Sequence, residues 1–153
     1  MNKLKQYLLD APARLGAKIP DELILLTARL AVFSVFWRAA QTKISGWEFL
    51  GQNWQFFNLS PSTVLLFKHE YQVPLLPAEF AAYTATFAEF FLSLFILFGF
   101  ATRLSALALL GMTLVIQFFV YPGAWPTHIL WAGLLLYLIK SGAGRISVDQ
   151  ILK

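Results

Sequence analysis

Four long apolar segments restrict the possible folds of this chain more than any other feature of its sequence. They cover about residues 22–40, 80–100, 104–121 and 125–140. A helix needs about 20 apolar residues to cross a bilayer, within a range of roughly 17–25. The second segment meets this length, and the first and third lie at its short end. The fourth needs flanking residues or a thin bilayer.

The composition agrees with chains that fold within a membrane. Hydrophobic residues make up 58% of the 153 residues and charged residues only 13%, which is about half the charged share of a soluble domain. So few charges cannot cover an apolar core with a polar surface. We therefore predict an all-α membrane protein, a four-transmembrane-helix bundle that forms a single domain over residues 1–153.

Polar and proline-containing stretches separate the segments. Residues 101–103 are a tight connection, so the second and third segments form a helical hairpin, and residues 121–126 break the chain before the fourth. The long loop over residues 41–79 is too apolar to float freely in water. Within it, Ser60-Pro61 is typical of a helix start, and an interfacial loop helix is predicted over residues 61–71.

The distribution of basic residues predicts the orientation. One side of the membrane carries Lys3, Lys5, Arg14, Lys18, Arg103, Lys140, Arg145 and Lys153. The other carries Lys43 and Lys68, with Arg38 at the end of the first segment. Because Lys and Arg accumulate on the cytoplasmic side, both termini are expected in the cytoplasm of a bacterial inner membrane. The predicted parts outside the spans are a surface segment 1–20, a periplasmic loop 41–79 and a cytoplasmic tail 141–153.

Several classes of function are disfavoured by residue content. The chain contains no cysteine, which excludes a self-contained dithiol enzyme and a thiolate metal site. Two histidines and two methionines make a poor copper or zinc site, so no metal site is predicted. No basic run alternates with aromatic residues, so nucleic acid is not an expected partner. The expected partner is the lipid bilayer.

Ionisable and polar residues within the apolar segments mark the candidate site, because they are costly at membrane depth and face partners there. They form an intramembrane polar cluster: Arg29, Arg38, Glu89, Gln117 and His128. Glu89 shares one helix face of small and polar residues with Ala82, Thr86 and Ser93. Such a face packs against neighbouring helices, so Glu89 is expected to point into the bundle.

Two interpretations of Glu89 follow. As the candidate catalytic residue, it would handle a proton or substrate in a cavity whose mouth is lined by Arg38, Gln117 and His128. Alternatively, it forms a buried ion pair that sets helix order. Arg29 matches Glu89 in depth, whereas Arg38 can extend toward the interface. The sequence favours a buried Arg29–Glu89 pair.

A set of motifs resembles those of DoxX-like membrane proteins in order and spacing. The motifs are Arg29-Leu30 with Phe36 and Lys43, then Glu89, then the run 99–106, and finally the ending 141–149, which is similar to the family's Gly-Pro-Gly-x-x-Ser-x-Asp. The resemblance covers nearly the whole chain from about residue 22. Residues 111–131 are similar to a subgroup encoded beside metal-stress peptides and their iron-dependent modifying enzymes.

The chain departs from the family pattern in its first helix. Phe33 stands where the family often has glycine, and Ala39-Ala40, preceded by Arg38, stand where it has a His-Gly pair. A role for that histidine is therefore not carried over to this chain.

The resemblance implies a four-helix membrane protein linked to redox chemistry. Some members of the family resemble subunits of a thiosulfate:quinone oxidoreductase. We therefore expect an accessory inner-membrane subunit of a redox or copper-stress pathway that acts with partner proteins. The alternative is a quinone-linked oxidoreductase subunit, in which Glu89 takes a proton and Arg38 or Gln117 binds a quinone carbonyl. A small transporter or channel is a third hypothesis, but four short helices leave little room for a conduit unless the chain forms a homo-oligomer.

Overall fold

The computed structural model describes residues 3–153, without the side chains of residues 3–7 and Leu9. Its α-helices are α1 Lys3–Gly16, α2 Asp21–Gln41, α3 Pro61–Leu66, α4 Ala78–Phe98, α5 Thr102–Val115, α6 Trp125–Ser141 and α7 Val148–Ile151. Two π-helical turns, Phe67–Tyr71 and Ile116–Val120, extend α3 and α5. The predicted surface segment therefore contains a helix, although Lys3 and Lys5 lie outside the described side chains.

Four helices form the bundle. α2 packs against α4 and α6, and α5 packs against the other sides of α4 and α6. Neighbouring helices run antiparallel, so the bundle has a loop end, which carries residues 42–77 and 121–124, and a tail end, which carries residues 99–101 and 142–153. The largest core cluster is apolar and joins these helices: Leu25, Ala28, Val32, Phe36, Ile96, Ala106, Leu109, Leu135 and Leu138.

Three helical segments are long and apolar enough to cross a membrane: Asp21–Gln41, Ala78–Phe98 and Thr102–Val120. They coincide with the first three predicted segments. α6 has 17 residues and completes the bundle. Large apolar side chains point outward from all four helices, among them Leu30, Phe87, Leu107, Phe118 and Leu130. Exposed apolar surface of this extent suits lipid rather than water.

The long loop folds back over the bundle. A two-stranded antiparallel hairpin pairs β1 Glu48–Phe49 with β2 Gln52–Asn53. A bridge between Ile44 and Leu59 then closes the loop. Residues 61–71 form α3 and the π-helical turn that follows it. Phe67 of that turn is buried against Ala81 and Ala82 near the start of α4.

Arg29 connects three parts of the chain at the tail end. Its guanidinium donates from Nε to the carbonyl of Ile96 at 2.9 Å and from Nη2 to that of Leu97. Nη1 donates to the carbonyls of Ala143 at 3.1 Å and Ile146 at 2.6 Å. The last carbonyls of a helix lack intrahelical donors and carry partial negative charge. Arg29 therefore ties the end of α4 to the tail.

Asp149 makes the reciprocal contact at the start of α5. Its carboxylate accepts from the backbone N–H groups of Ala101 at 2.7 Å and Thr102 at 2.9 Å, and its own N–H donates to Gly99 O. Partial burial raises the pKa of Asp149, but the hydrogen bonds from Thr102 and Ala101 outweigh this effect. The net pKa lies below its ordinary value. A negative charge at a helix N-terminus is stabilising.

Gly99 should be intolerant of any side chain. It adopts φ +68°, and a Cβ there would lie 2.5 Å from Ser147 Cβ and 3.0 Å from Arg29 Cζ. We expect Gly99→Ala to lower the free energy of unfolding by about 2 kcal/mol or more, through left-handed strain and overpacking. Thermal unfolding in detergent measures this. Gly111→Ala is the matched control, because no atom lies within 4 Å of its added Cβ. Equal melting temperatures for the two variants would contradict the tail-end packing.

Asp149→Asn should remove one component of stability at neutral pH. We expect a loss of about 1 kcal/mol, the usual effect of weakening a capping carboxylate. Because the pKa of Asp149 is lower in the folded state, its carboxylate stabilises the fold at pH values above the ordinary pKa. This contribution is lost as the pH falls through the lowered pKa of the folded state. Melting temperatures measured from neutral to acid pH should therefore converge for wild type and variant. A constant difference at all pH values would contradict the assignment.

Candidate functional site

A buried ion pair joins α4 to the segment that follows α2. Lys43 Nζ lies 2.8 Å from Glu89 Oε2 and 3.1 Å from Oε1, and the two residues are 6% and 4% exposed. The ammonium also donates to the carbonyl of Ala39 at 3.0 Å. A buried charge requires a partner and further hydrogen bonds to offset its desolvation, and this arrangement provides both for Lys43.

Hydrogen bonds from the loop hold the backbone of Lys43 in place, while Glu89 holds its side chain. The carbonyl of Lys43 accepts from Ser60 N at 2.9 Å and from Thr63 Oγ1 at 2.9 Å. Its N–H donates to the carbonyl of Ala40. Lys43 thus continues the last turn of α2 and anchors the start of α3, which places its side chain over the polar face of α4.

The predicted Arg29–Glu89 pair is wrong. Arg29 lies at the tail end, where backbone carbonyls satisfy its guanidinium. Arg38 is exposed and has no ion-pair partner in the described part of the chain. Lys43 pairs with Glu89 instead. In the sequence, Lys43 was a basic residue that indicated orientation and a member of the family motifs. The available signal was its place just past α2, from which a lysine side chain can reach inward.

Arg29 and Glu89 do not lie at the same depth, because α4 begins well beyond the end of α2. The first turns of α4 pack against Phe67 and Tyr71 of the loop rather than against α2. Glu89 is therefore level with the loop end of α2. Depths counted from the ends of the two segments can be compared only if the loop ends of α2 and α4 lie at the same level.

A cavity of about 420 Å³ opens beside the ion pair. Its wall is mostly apolar and aromatic, with contributions from Phe36, Phe67, Met112, Val115, Ile116 and Trp131. The polar groups on the wall come from Arg38, Lys43, Tyr71, Glu89, Tyr121 and His128. Small-molecule sites are typically apolar clefts of about 300–1,000 Å³ with a few convergent polar groups. This cavity has that character.

His128 and Gln117 form a buried hydrogen-bonded couple at the cavity. Gln117 Nε2 donates to the carbonyl of Pro122 at 2.8 Å, and Gln117 Oε1 lies 2.7 Å from His128 Nδ1. Both residues are buried, and the His128 ring lies against Trp131 with ring centroids 4.9 Å apart. His128 is thus oriented by a specific partner, Gln117.

The two π-helical turns face each other across the cavity. Phe67 and Tyr71 line it from one turn, and Ile116 and Val120 line it from the other. Tyr121 donates from its hydroxyl to Glu70, and its ring meets that of Tyr71 edge-on at 5.6 Å. Single π-helical turns often occur at functional sites because they change the direction of side chains locally. Here both turns contribute wall to the same cavity.

Of the predicted polar cluster, Arg38, Glu89 and His128 line one cavity, and Gln117 contacts it through His128. Arg29 lies elsewhere. A wider depression of about 840 Å³ at the tail end is lined by Glu22, Arg103, Arg145 and Asp149, among others. Two of its carboxylates serve the fold, because Glu22 accepts from Arg145 N at 2.7 Å and Asp149 caps α5. Within the described residues, no group of three or more His, Cys, Asp or Glu side chains could hold a metal ion.

Comparison with known proteins identifies one relationship. The family model described as DoxX matches residues 24–122. No curated protein matches the chain significantly. No solved structure matches it either. The matched region contains both members of the ion pair and ends at the carbonyl that orients Gln117.

Separating Lys43 from Glu89 by mutation should reveal their coupling. Removal of one partner leaves a buried charge, so Lys43→Met is expected to lower the free energy of unfolding by about 3–5 kcal/mol. The double variant Lys43→Met/Glu89→Met should recover most of this loss, because neither charge remains. Thermal unfolding of the detergent-solubilised protein measures both.

Lys68→Met is the control for lysine removal, since Lys68 is exposed on the loop and should have little effect. If the single and double variants were equally destabilised, the two residues would not act as a pair.

Proposed function

The chain belongs to the DoxX family of membrane proteins, and we propose that it binds a quinone-type ring in the cavity beside the Lys43–Glu89 pair. The observation that carries this proposal is the position of a buried ion pair on the wall of an otherwise apolar cavity. An ion pair that only joined two helices would not need an adjoining space of about 420 Å³.

The shape and chemistry of the cavity support a planar aromatic ligand. Phe36, Trp131 and Phe67 provide aromatic wall on different elements, and aromatic faces stack readily on a flat ring. The space suffices for the ring of a membrane quinone. Its isoprenoid chain would extend toward lipid along the apolar outer faces of the helices.

The polar groups provide for the oxygens of such a ring. Arg38 is a hydrogen-bond donor at the cavity, and a cationic donor binds a carbonyl oxygen more strongly than a neutral one. The Lys43 ammonium donates to Glu89 and Ala39 and adds positive charge to the same wall. Glu89 can hold a proton beside that oxygen and release it to water. A bound quinone would supply the electron-accepting chemistry. The role of these residues is to orient the ring and manage protons.

The membrane arrangement that accompanies this proposal has four spans, with α6 as the fourth. α6 packs beside α2 and α5 and exposes Ile129, Leu130 and Leu136. The loop would lie at the outer interface, which its exposed Trp47, Phe49 and Leu50 favour, since aromatic residues prefer that region. The excess of Lys and Arg at the tail end supports an orientation with both termini in the cytoplasm of a bacterial inner membrane, in which the cavity would open on the periplasmic side.

We further propose that the protein acts as a membrane subunit with partner proteins. The chain has no cysteine, so the electrons exchanged with a bound quinone would come from or go to another molecule, and a partner protein that carries a redox group is the one proposed here. A place in a copper-stress pathway and a homo-oligomeric state stay predictions from the sequence.

Bound quinone is the direct test. The protein is extracted from its own membrane into polymer nanodiscs, and quinone is quantified per protein by mass spectrometry, with a similar-sized unrelated membrane protein as the background. We expect clear enrichment in wild type, because the cavity retains the ring. The double variant Lys43→Met/Glu89→Met should be folded but depleted of quinone.

Lys68→Met should retain quinone and serves as the matched control. Wild-type protein that carries no more quinone than the background would overturn the proposal. A co-purifying protein without quinone would instead support an accessory subunit in which the ion pair has a structural role.

A further inference from the structure

The carbonyl of Pro122 determines how the side chain of Gln117 is oriented. A carbonyl oxygen only accepts hydrogen bonds. The Gln117 atom 2.8 Å from it must therefore be the amide nitrogen Nε2. The amide oxygen Oε1 is consequently the atom that lies 2.7 Å from His128 Nδ1. The orientation of this amide thus follows from its partner.

The same reasoning determines the tautomer of His128. Because Gln117 Oε1 is an acceptor, His128 Nδ1 must carry the proton and donate it. In a neutral imidazole the other nitrogen, Nε2, then holds a lone pair. Nε2 has no hydrogen-bond partner among the described residues, although His128 is only 3% exposed and lines the cavity. His128 therefore presents an acceptor to whatever the cavity holds.

We infer that His128 makes the cavity selective for the reduced, hydroxyl-bearing form of the ring, a hydroquinone, over the oxidised quinone. The inference rests on the proposed quinone site and concerns its preferred redox state. A hydroquinone hydroxyl donates to His128 Nε2. A quinone carbonyl at the same place sets two acceptors against each other and leaves both without a donor, which is the costly arrangement for buried polar groups.

His128 is thus a specificity-determining residue, and Gln117 positions it. Arg38 on the same wall can donate to an oxygen of either redox form, because a hydroxyl also accepts hydrogen bonds. It adds affinity without strong selection between the two forms. Where the ring oxygen meets His128, the selection comes from Nε2, because the imidazole proton is held on Nδ1 by Gln117.

The test compares the affinities of the two redox forms. A short-chain ubiquinone and the ubiquinol prepared from it are titrated anaerobically into the detergent-solubilised full chain by calorimetry. Wild type should bind the ubiquinol about tenfold more tightly or better than the ubiquinone. This ratio is expected when one form makes a buried hydrogen bond to His128 and the other leaves two buried acceptors without a donor.

Two variants reduce this ratio for different reasons. His128→Leu removes the acceptor and should weaken ubiquinol binding while leaving ubiquinone binding nearly unchanged. Gln117→Leu releases the tautomer, so the imidazole can donate from Nε2, and the ratio should fall because ubiquinone binds more tightly. Thr113→Val is the matched control, a buried change of similar size four residues before Gln117 that lies outside the cavity lining. It should keep the wild-type ratio.

The outcomes separate the two proposals. Equal affinities of wild type for the two forms, or a ratio that neither variant changes, would overturn the role of His128 and leave the quinone site standing. Failure of wild type to bind either form would overturn the quinone site and this inference together. Size-exclusion profiles and melting temperatures establish that each variant is folded before titration.

Discussion

The contact between Lys43 and Glu89 organises the loop end of the molecule. Two opposite charges taken out of water attract strongly, but only if nothing else competes for them and their geometry is held. The chain meets this condition by making Lys43 part of three structures: the last turn of α2, the ion pair, and the start of α3 through its carbonyl. The loop therefore cannot move away from the bundle without breaking the pair.

A second anchor, at the tail end, uses backbone rather than a carboxylate. Arg29 donates to four carbonyls from α4 and the tail, and Asp149 binds the first N–H groups of α5. Each charge meets the end of a helix whose dipole favours it. The turn between α4 and α5 is thus held in place. The cavity forms at the opposite end of the bundle, where the loop enters.

Part of this arrangement was predictable from the sequence, and the errors have a common cause. The polar face of α4 predicted that Glu89 points inward, because small and polar residues at helical spacing mark a packed face. The partner was wrong, since the stagger between α2 and α4 depends on how the loop packs under Phe67. Hydropathy shows where a segment is apolar but not where along its neighbour it begins. For the same reason, the sequence did not show that Lys43 reaches Glu89 or that Gln117 bonds directly to His128.

The sequence by itself determined that the chain is helical, multi-pass and anchored by a few costly polar residues, because apolar length and charge content depend only on composition and order. It also indicated the DoxX family through the order and spacing of its motifs. Only the tertiary structure decided which charges meet, that Arg29 serves the tail, and that His128 presents a bare nitrogen to a cavity. Those outcomes depend on distances of a few ångströms between helices distant in sequence, which local pattern does not encode.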